Sequence, residues 1–158
     1  MDESGPVEKV EFAAPPDESP FKHTLGFLAQ PTEERPAQLR VSVTNVGDGD
    51  HTIQTNNWGL PFPARAGKAI DGDEKLVLST DGDAEYRDDC WRDYPKTSPR
   101  IDTKTLSPDE TVSATYALVN GMETAACWPS GKYRFSQRYE VDPEGDGTEY
   151  DWWFVVSV

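Results

Sequence analysis

The chain has 158 residues, of which 29 are Asp or Glu and 15 are Lys or Arg, so its formal net charge is −14 at pH 7. This length suits a single domain with a core of ordinary size. Because Lys and Arg form no run, the composition excludes nucleic-acid binding driven by counterion release and disfavours binding to anionic membranes. Five Trp, six Tyr and six Phe exclude a disordered acidic chain, since such chains are poor in aromatic residues.

Apolar and polar residues alternate along most of the chain, and no segment sustains an apolar repeat at helical spacing. The segments with β-type character are residues 7–13, 23–28, 38–45, 52–55, 74–79, 111–119, 133–139 and 150–156. A cluster of Gly and Asp at residues 46–50 separates two of them, which predicts a hairpin. Eight or nine short strands predict an all-β fold, a single antiparallel β-sandwich over residues 21–158. Residues 1–20 are predicted to be a tail that holds the first strand.

Two long loops, at residues 80–100 and 120–131, hold the two cysteines, and each cysteine is followed directly by a tryptophan: Cys90-Trp91 and Cys127-Trp128. Two thiols in polar loops predict a disulfide formed in an oxidising compartment. The alternatives are two unpaired thiols or a metal site, although two Cys and two distant His match no zinc spacing. We expect the two tryptophans to pack over the disulfide.

The disulfide favours an extracellular or cell-surface location, with a cytoplasmic location as the alternative. The longest apolar run, residues 152–156, is too short to span a bilayer. Residues 1–6 have no basic start and no apolar core, so they do not predict a signal peptide. A cytosolic chain and a mature exported chain with an added Met are both consistent with this beginning.

The acidic surplus also bears on the solvent in which the protein works. The composition resembles that of haloarchaeal proteins, in which Asp and Glu are abundant and Lys, present seven times here, is scarce. A charge of this size repels itself unless salt screens it, which predicts a halophilic protein. The alternative is an ordinary acidic domain from an organism that does not live in salt.

Three segments carry a family resemblance. Residues 39–47 (LRVSVTNVG) resemble the "V-x-V-x-N-x-G" strand of immunoglobulin-like surface modules, residues 106–111 (LSPDET) their "L-x-P-G-E-T" turn, and residues 129–135 (PSGKYRF) their "P-x-G-x-Y-x-V" strand. Their order and spacing resemble the BsuPI family of intracellular proteinase inhibitors. The resemblance covers residues 37–140 and implies an immunoglobulin-like sandwich. The chain departs from it at Asp109, which replaces the turn glycine.

The residues predict no enzyme. The only histidines, His23 and His51, lie far apart in the sequence, and no Gly-x-Ser-x-Gly motif is present. A cysteine nucleophile conflicts with the predicted disulfide. The carboxylates of residues 140–151 could supply a glycosidase-type pair, but such pairs arise by chance in an acidic surface.

No cofactor is predicted, and calcium is the metal kept as an alternative. Asp-Gly-Asp occurs at residues 48–50, 71–73 and 81–83, and calcium takes oxygen ligands from acidic loops. No segment completes an EF-hand loop, and Asp-Gly pairs are common in turns. The candidate ligands are Asp81, Asp83, Asp142, Asp146, Glu149 and Asp151.

The candidate recognition surface combines the loop around Trp58 with the two cysteine loops. Residues 56–63 mix amides, aromatic rings and prolines, which is typical of a recognition loop; the alternative is a loop that plugs one end of the sandwich. The candidate binding residues are Asn56, Asn57, Trp58, Phe62, Trp91 and Trp128. We expect a non-catalytic binding or structural module whose partner is a protein or a cell-envelope component. A BsuPI-like proteinase inhibitor is the alternative.

Overall fold

The structure is a computed structural model that describes residues 5–13, 18–55, 60–62, 66–79, 84–94, 101–123, 126–145 and 147–158. These residues form twelve β-strands and no helix, so the predicted all-β class is confirmed. The strands are β1 (Lys9–Phe12), β2 (Phe21–Ala29), β3 (Ala37–Asn45), β4 (His51–Thr55), β5 (Ala66–Ala69), β6 (Lys75–Ser79), β7 (Glu85–Arg87), β8 (Cys90–Asp93), β9 (Asp102–Leu106), β10 (Thr111–Gly121), β11 (Lys132–Val141) and β12 (Thr148–Ser157). No helix that could cross a membrane occurs in this part of the chain.

The strands form two layers that pack face to face. One layer consists of β2, β3, β10 and β6, and the other consists of β1, β12, β11, β4 and β9, with antiparallel pairing throughout both. β5 pairs with β6 and with β11, and thereby joins the layers along one edge. The hairpin of β7 and β8 is attached to the first layer by a short parallel pairing of β8 with the end of β10.

The predicted hairpin between β3 and β4 is wrong. β3 pairs with β2 and β10, whereas β4 pairs with β9 and β11 in the other layer. The segment between them therefore crosses from one layer to the other, as in the Greek-key connections of immunoglobulin-like sandwiches. The buried Asn45 holds the crossing, because its side-chain amide donates to the carbonyls of Gly49 and Leu106 at 2.9 and 2.8 Å. A Gly/Asp cluster is equally compatible with a hairpin turn and with a connection between layers, so the local pattern could not distinguish the two.

The core lies between the layers and is filled by the alternating residues of the long strands. Fully buried members include Leu39, Val41, Val43, Leu118, Phe135, Trp152, Phe154 and Val156. Contacts across the core join strands that are not hydrogen-bonded to each other: the ring of His23 on β2 stacks on Trp152 of β12 at 4.6 Å. This packing makes the architecture a sandwich rather than one open sheet.

A buried tyrosine at the start of β11 supports the immunoglobulin-like assignment. The hydroxyl of Tyr133 donates to the carbonyl of Pro129, four residues upstream, at 2.5 Å. A hallmark of immunoglobulin-like domains is a tyrosine near the start of such a strand whose hydroxyl is hydrogen-bonded to the backbone a few residues upstream. Asp109, which stands where the resembling domains have glycine, has a φ of 68°, so the turn keeps the left-handed conformation without glycine.

Twelve strands are present where the sequence predicts about 8–9, and the additional ones are short. β5, β7, β8 and β9 have three to five residues each. Three successive exposed residues make up β7, and three also occupy the middle of β9, so neither strand shows the alternation of a half-buried strand. β9 pairs with the distant β4, whereas β7 pairs with the adjacent β8, so the missing alternation rather than the distance to the partner strand is why the local pattern missed both.

Candidate functional site

The predicted disulfide between Cys90 and Cys127 is confirmed. It joins two residues 37 positions apart, with their Cα atoms 5.9 Å from each other. Cys90 opens β8 and is buried, whereas Cys127 lies in the loop that precedes β11. The bond fastens the hairpin of β7 and β8 to this loop, beside the end of β10.

Because each cysteine precedes a tryptophan, the disulfide also brings Trp91 and Trp128 to the same place. The buried Asn120 of β10 lies between their backbones: its Oδ1 accepts from the N–H of Trp128 at 2.7 Å, and its Nδ2 donates to the carbonyl of Trp91 at 3.4 Å. Trp128 has a φ of 51°, the left-handed conformation that is rare for a bulky residue. One covalent bond and one amide thus set the positions of both tryptophans.

A tight turn after β2 forms the facing wall. The indole Nε1 of Trp91 donates to the carbonyl of Thr32 at 2.7 Å. The hydroxyl of Thr32 accepts the backbone N–H groups of Glu34 and Arg35, both at 3.2 Å, which fixes the turn. The side-chain amide of Gln30 bonds to the N–H and carbonyl of Val7 at 3.2 and 2.7 Å, and so places the N-terminal segment beside this wall.

These elements enclose a half-open cleft of about 320 Å³, which we call the disulfide cleft. Its apolar lining consists of Pro6, Pro31, Tyr86, Trp91 and Trp128. The ring of Tyr86 meets that of Trp91 edge to face, with centroids 5.6 Å apart and planes at 65°. A volume of this order fits a small ligand or one side chain of a larger partner.

Among the described residues, the charged groups that line the disulfide cleft are all negative. They are the carboxylates of Glu33 and Asp89, and no described Lys, Arg or His belongs to the lining. Partial desolvation and the charges of these two carboxylates raise the pKa of the Tyr86 hydroxyl. The cleft therefore combines aromatic faces with a negative potential.

Two buried charged residues of β8 fasten the β7–β8 hairpin to the first layer. Arg92 is 2% exposed and donates to the carbonyls of Arg87 and Gly121 at 3.0 and 3.2 Å. Asp93 is also buried and accepts from the hydroxyl of Ser79 at 2.6 Å. The bond to Gly121 holds β8 against β10, and the bond to Ser79 holds it against β6. Both bonds also satisfy charged groups that are costly to bury without a partner.

The structure removes Phe62 from the predicted recognition surface. Its side chain is 1% exposed and packs in the core, with its ring centroid 5.8 Å from Trp152 and 5.2 Å from Phe154. The hydroxyl of Tyr116 accepts from the N–H of Phe62 and donates to its carbonyl, and burial raises the pKa of this tyrosine. Phe62 is therefore a core residue. Asn56, Asn57 and Trp58 lie outside the described residues.

The histidines occupy two unrelated places. His23 is buried in the core, and desolvation lowers its pKa to about 3. His51 lies at the start of β4, where its Nδ1 pairs with Asp142 at 2.8 Å. Asp142 is the only residue to which the His51 ring is hydrogen-bonded in the described part of the chain, so no hydroxyl nucleophile joins this pair.

The carboxylates proposed for calcium have other contacts. Asp142 accepts from the N–H of Thr52 and from His51, and these bonds lower the pKa of its carboxyl group against a smaller opposing effect of burial. Asp151 lies 3.2 Å and Glu149 3.8 Å from Arg138. No three metal-binding side chains cluster within the described ranges, from which Asp81, Asp83 and Asp146 are missing. Calcium stays a prediction, to be tested by titration calorimetry in high salt.

Sequence reasoning placed Trp91 and Trp128 together through their cysteines but missed the other walls. Tyr86, Thr32, Glu33 and Asp89 carry no motif that distinguishes them from ordinary loop residues. They meet because the disulfide joins residues 37 positions apart and the hydrogen bond from Trp91 to Thr32 joins residues 59 positions apart.

Comparisons with known proteins add little to this geometry. Neither a scan against protein-family models nor a search of curated proteins gives a match, so the BsuPI resemblance stays a prediction. Among solved structures, the chain is similar to the ASH / PapD-like domain of human CEP192 (PapD-like domain 7), at 11% identity and a TM-score of 0.33, over 95% of this chain and 84% of that chain. A TM-score this low does not support a fold assignment. The immunoglobulin-like fold is assigned from the strand pairing and from the hydrogen bond of Tyr133 to Pro129.

Proposed function

We propose that this domain is a non-catalytic binding module, exported or displayed at the surface of a halophile, and that it recognises its ligand through the disulfide cleft. The main support for this proposal is that the Cys90–Cys127 disulfide and the buried amide of Asn120 hold two tryptophans in a cleft that is open to solvent. Binding sites are usually concave, largely apolar and formed before the ligand arrives. Indole rings supply much contact area at little cost in conformational entropy.

The disulfide supports the exported module over the intracellular BsuPI-like inhibitor. Structural disulfides persist in oxidising compartments and are rare in the cytosol. An inhibitor of this kind would place a loop in a protease cleft. Titrating halophilic serine proteases with the domain tests the alternative, since a stoichiometric loss of protease activity would favour it over the binding module.

The non-catalytic part of the proposal is supported by the placement of the titratable groups. His23 is enclosed in the core, and the His51–Asp142 pair lies where β4 pairs with β11, with no hydroxyl of the described residues bonded to the ring. The disulfide cleft itself offers two carboxylates and no general base of the imidazole type. We therefore expect no turnover of esters, peptides or glycosides.

Nuclear magnetic resonance of the tryptophan indole groups tests whether the cleft binds. The five indole N–H signals are assigned by single Trp→Phe variants and followed while choline, acetate, methyl glucoside or 3,3-dimethylbutan-1-ol is added. We expect at least one of these probes to shift the Trp91 and Trp128 signals saturably. The Trp152 signal should stay in place, because its N–H is bonded to the carbonyl of Ala13 inside the core. If no probe moves the two cleft signals, the disulfide cleft is not a recognition site.

A further inference from the structure

The chemistry of the disulfide cleft points to one class of ligand. Two of its aromatic rings, Tyr86 and Trp91, meet with their planes at 65°, so they form a corner whose faces are rich in π electrons. Trp128 adds a third ring to the lining. Aromatic faces attract cations, Trp most strongly, and the attraction is largest for cations that lose little hydration on entering.

The ionisable groups of the cleft agree with the rings. Glu33 and Asp89 line the same cleft as Tyr86, and both charges help to raise the pKa of the Tyr86 hydroxyl. No cationic side chain among the described residues lines the cleft and competes for these groups. At low ionic strength the net charge of −14 also attracts cations and repels anions over a distance, whereas in molar salt this attraction is screened and the two carboxylates of the lining act alone.

We propose that the disulfide cleft binds a quaternary ammonium group, held against Tyr86, Trp91 and Trp128 and neutralised by Glu33 and Asp89. This inference rests on the proposed binding function and adds the chemical class of its ligand. A trimethylammonium head exposes methyl groups that pack against rings, and its charge is weakly hydrated, so it satisfies the apolar walls and the carboxylates together. A small inorganic cation would satisfy only the carboxylates, a sugar would satisfy only the rings, and an anion would be repelled by both.

Choline and 3,3-dimethylbutan-1-ol test the class, because the two molecules have the same shape and only choline is charged. Binding is followed by the Trp91 and Trp128 indole signals, in a KCl concentration at which the domain is folded. We expect choline to bind at least tenfold more tightly than the neutral alcohol. Nα-acetyl-Nε-trimethyllysine methylamide carries the same trimethylammonium head on a protein side chain. If it binds more tightly than choline, the ligand is a modified side chain; if choline binds more tightly, the ligand is a free molecule.

Matched variants test the residues. Tyr86→Leu keeps an apolar side chain but removes a ring, and we expect it to weaken choline binding at least about fivefold. Tyr94→Leu is the control, since Tyr94 is 56% exposed and does not line the cleft. Glu33→Gln should weaken choline about threefold or more, whereas Glu34→Gln, which removes the same charge from the same turn outside the lining, should leave binding within twofold. Equal melting temperatures establish that each variant is folded.

Two results would overturn the inference, and they differ in what they say of the proposed function. If the alcohol shifts the indole signals as strongly as choline, or if Tyr86→Leu and Glu33→Gln both leave choline binding unchanged, the ligand is not a cation held by this corner, but the cleft remains a binding site. If neither compound nor any other probe shifts the two signals, the inference and the proposed function fail together.

Discussion

At the scale of single residues, His23 shows what the core demands of a polar side chain. The ring is fully buried, stacks on Trp152 and lies 4.9 Å from Tyr139. Neither ring nitrogen has a hydrogen-bond partner among the described residues. Burial without a partner disfavours the charged form, so the pKa of His23 falls from 6.5 to about 3. The side chain therefore packs as a neutral aromatic ring in the core and does not act as a base.

This burial predicts a loss of stability in mild acid. Between pH 6.5 and 3 the unfolded chain protonates His23 while the folded chain does not, so the free energy of unfolding falls as the pH falls. From pH 7 to pH 5 the wild type should lose about 2 kcal/mol more than His23→Phe. Denaturant titrations of both proteins across this range measure the difference. Carboxylate protonation affects both alike, and parallel pH profiles would contradict the expectation.

Tyr133 makes a second prediction at this scale. Tyr133→Phe keeps the buried ring and removes the hydrogen bond to the carbonyl of Pro129, which should lower the free energy of unfolding by about 1–2 kcal/mol. Tyr150→Phe is the control, since no hydrogen bond of the Tyr150 hydroxyl is present among the described residues and its loss should cost less than about 0.5 kcal/mol. Equal midpoints in denaturant for the two variants would show that the corner contributes nothing.

At the scale of elements, the two Cys-Trp dipeptides are the unit that builds the site. In each dipeptide the cysteine is covalently fixed and the next residue supplies an indole, so a single bond positions two rings from β8 and from the loop before β11. The turn after β2 completes the wall through the bond from Trp91 to Thr32. The sandwich layers themselves are held by long antiparallel ladders that do not involve either cysteine.

Removing the disulfide should consequently damage the cleft and the stability together. The Cys90→Ser, Cys127→Ser double variant should lose about 4 kcal/mol, the chain-entropy value for a loop closed over 37 positions. It should also lose the saturable shift of the Trp91 and Trp128 signals while β-sheet circular dichroism persists. Alkylation of the native protein, followed by intact mass, should add no label until reductant is present. Free labelling without reductant would contradict the bond and favour a cytosolic location.

At the scale of the whole molecule, we expect the net charge of −14 to make the stability of the fold depend on salt. Raising KCl from roughly 0.1 M to roughly 1 M shortens the screening length from about 10 Å to about 3 Å, which relieves repulsion between carboxylates. If the relief is a few kcal/mol, the melting temperature should rise by roughly 10 °C. Thermal melts in KCl, compared with melts in sucrose at matched water activity, separate screening from water exclusion. A flat salt dependence would withdraw the halophilic origin.

The strands and their buried faces could be predicted only where the alternation of apolar and polar residues was strong. Leu39, Val41 and Val43, and likewise Trp152, Phe154 and Val156, alternate so regularly that the face turned to the core is fixed by the period of a strand. The short strands β7 and β9 lack that alternation because much of their length is exposed. Which strands pair is a separate matter, since the same Gly/Asp segment serves a hairpin or a crossing.

The sequence by itself determined the all-β class, the strands with strong alternation, the pairing of the only two cysteines and the tryptophans that follow them. Each of these depends on local periodicity or on composition. Only the tertiary structure decided that β3 and β4 belong to different layers, that Phe62 is core, and that Tyr86, Glu33 and Asp89 meet at the disulfide. These facts depend on contacts between segments that are distant in the sequence, and local sequence patterns do not show which distant segments come together in space.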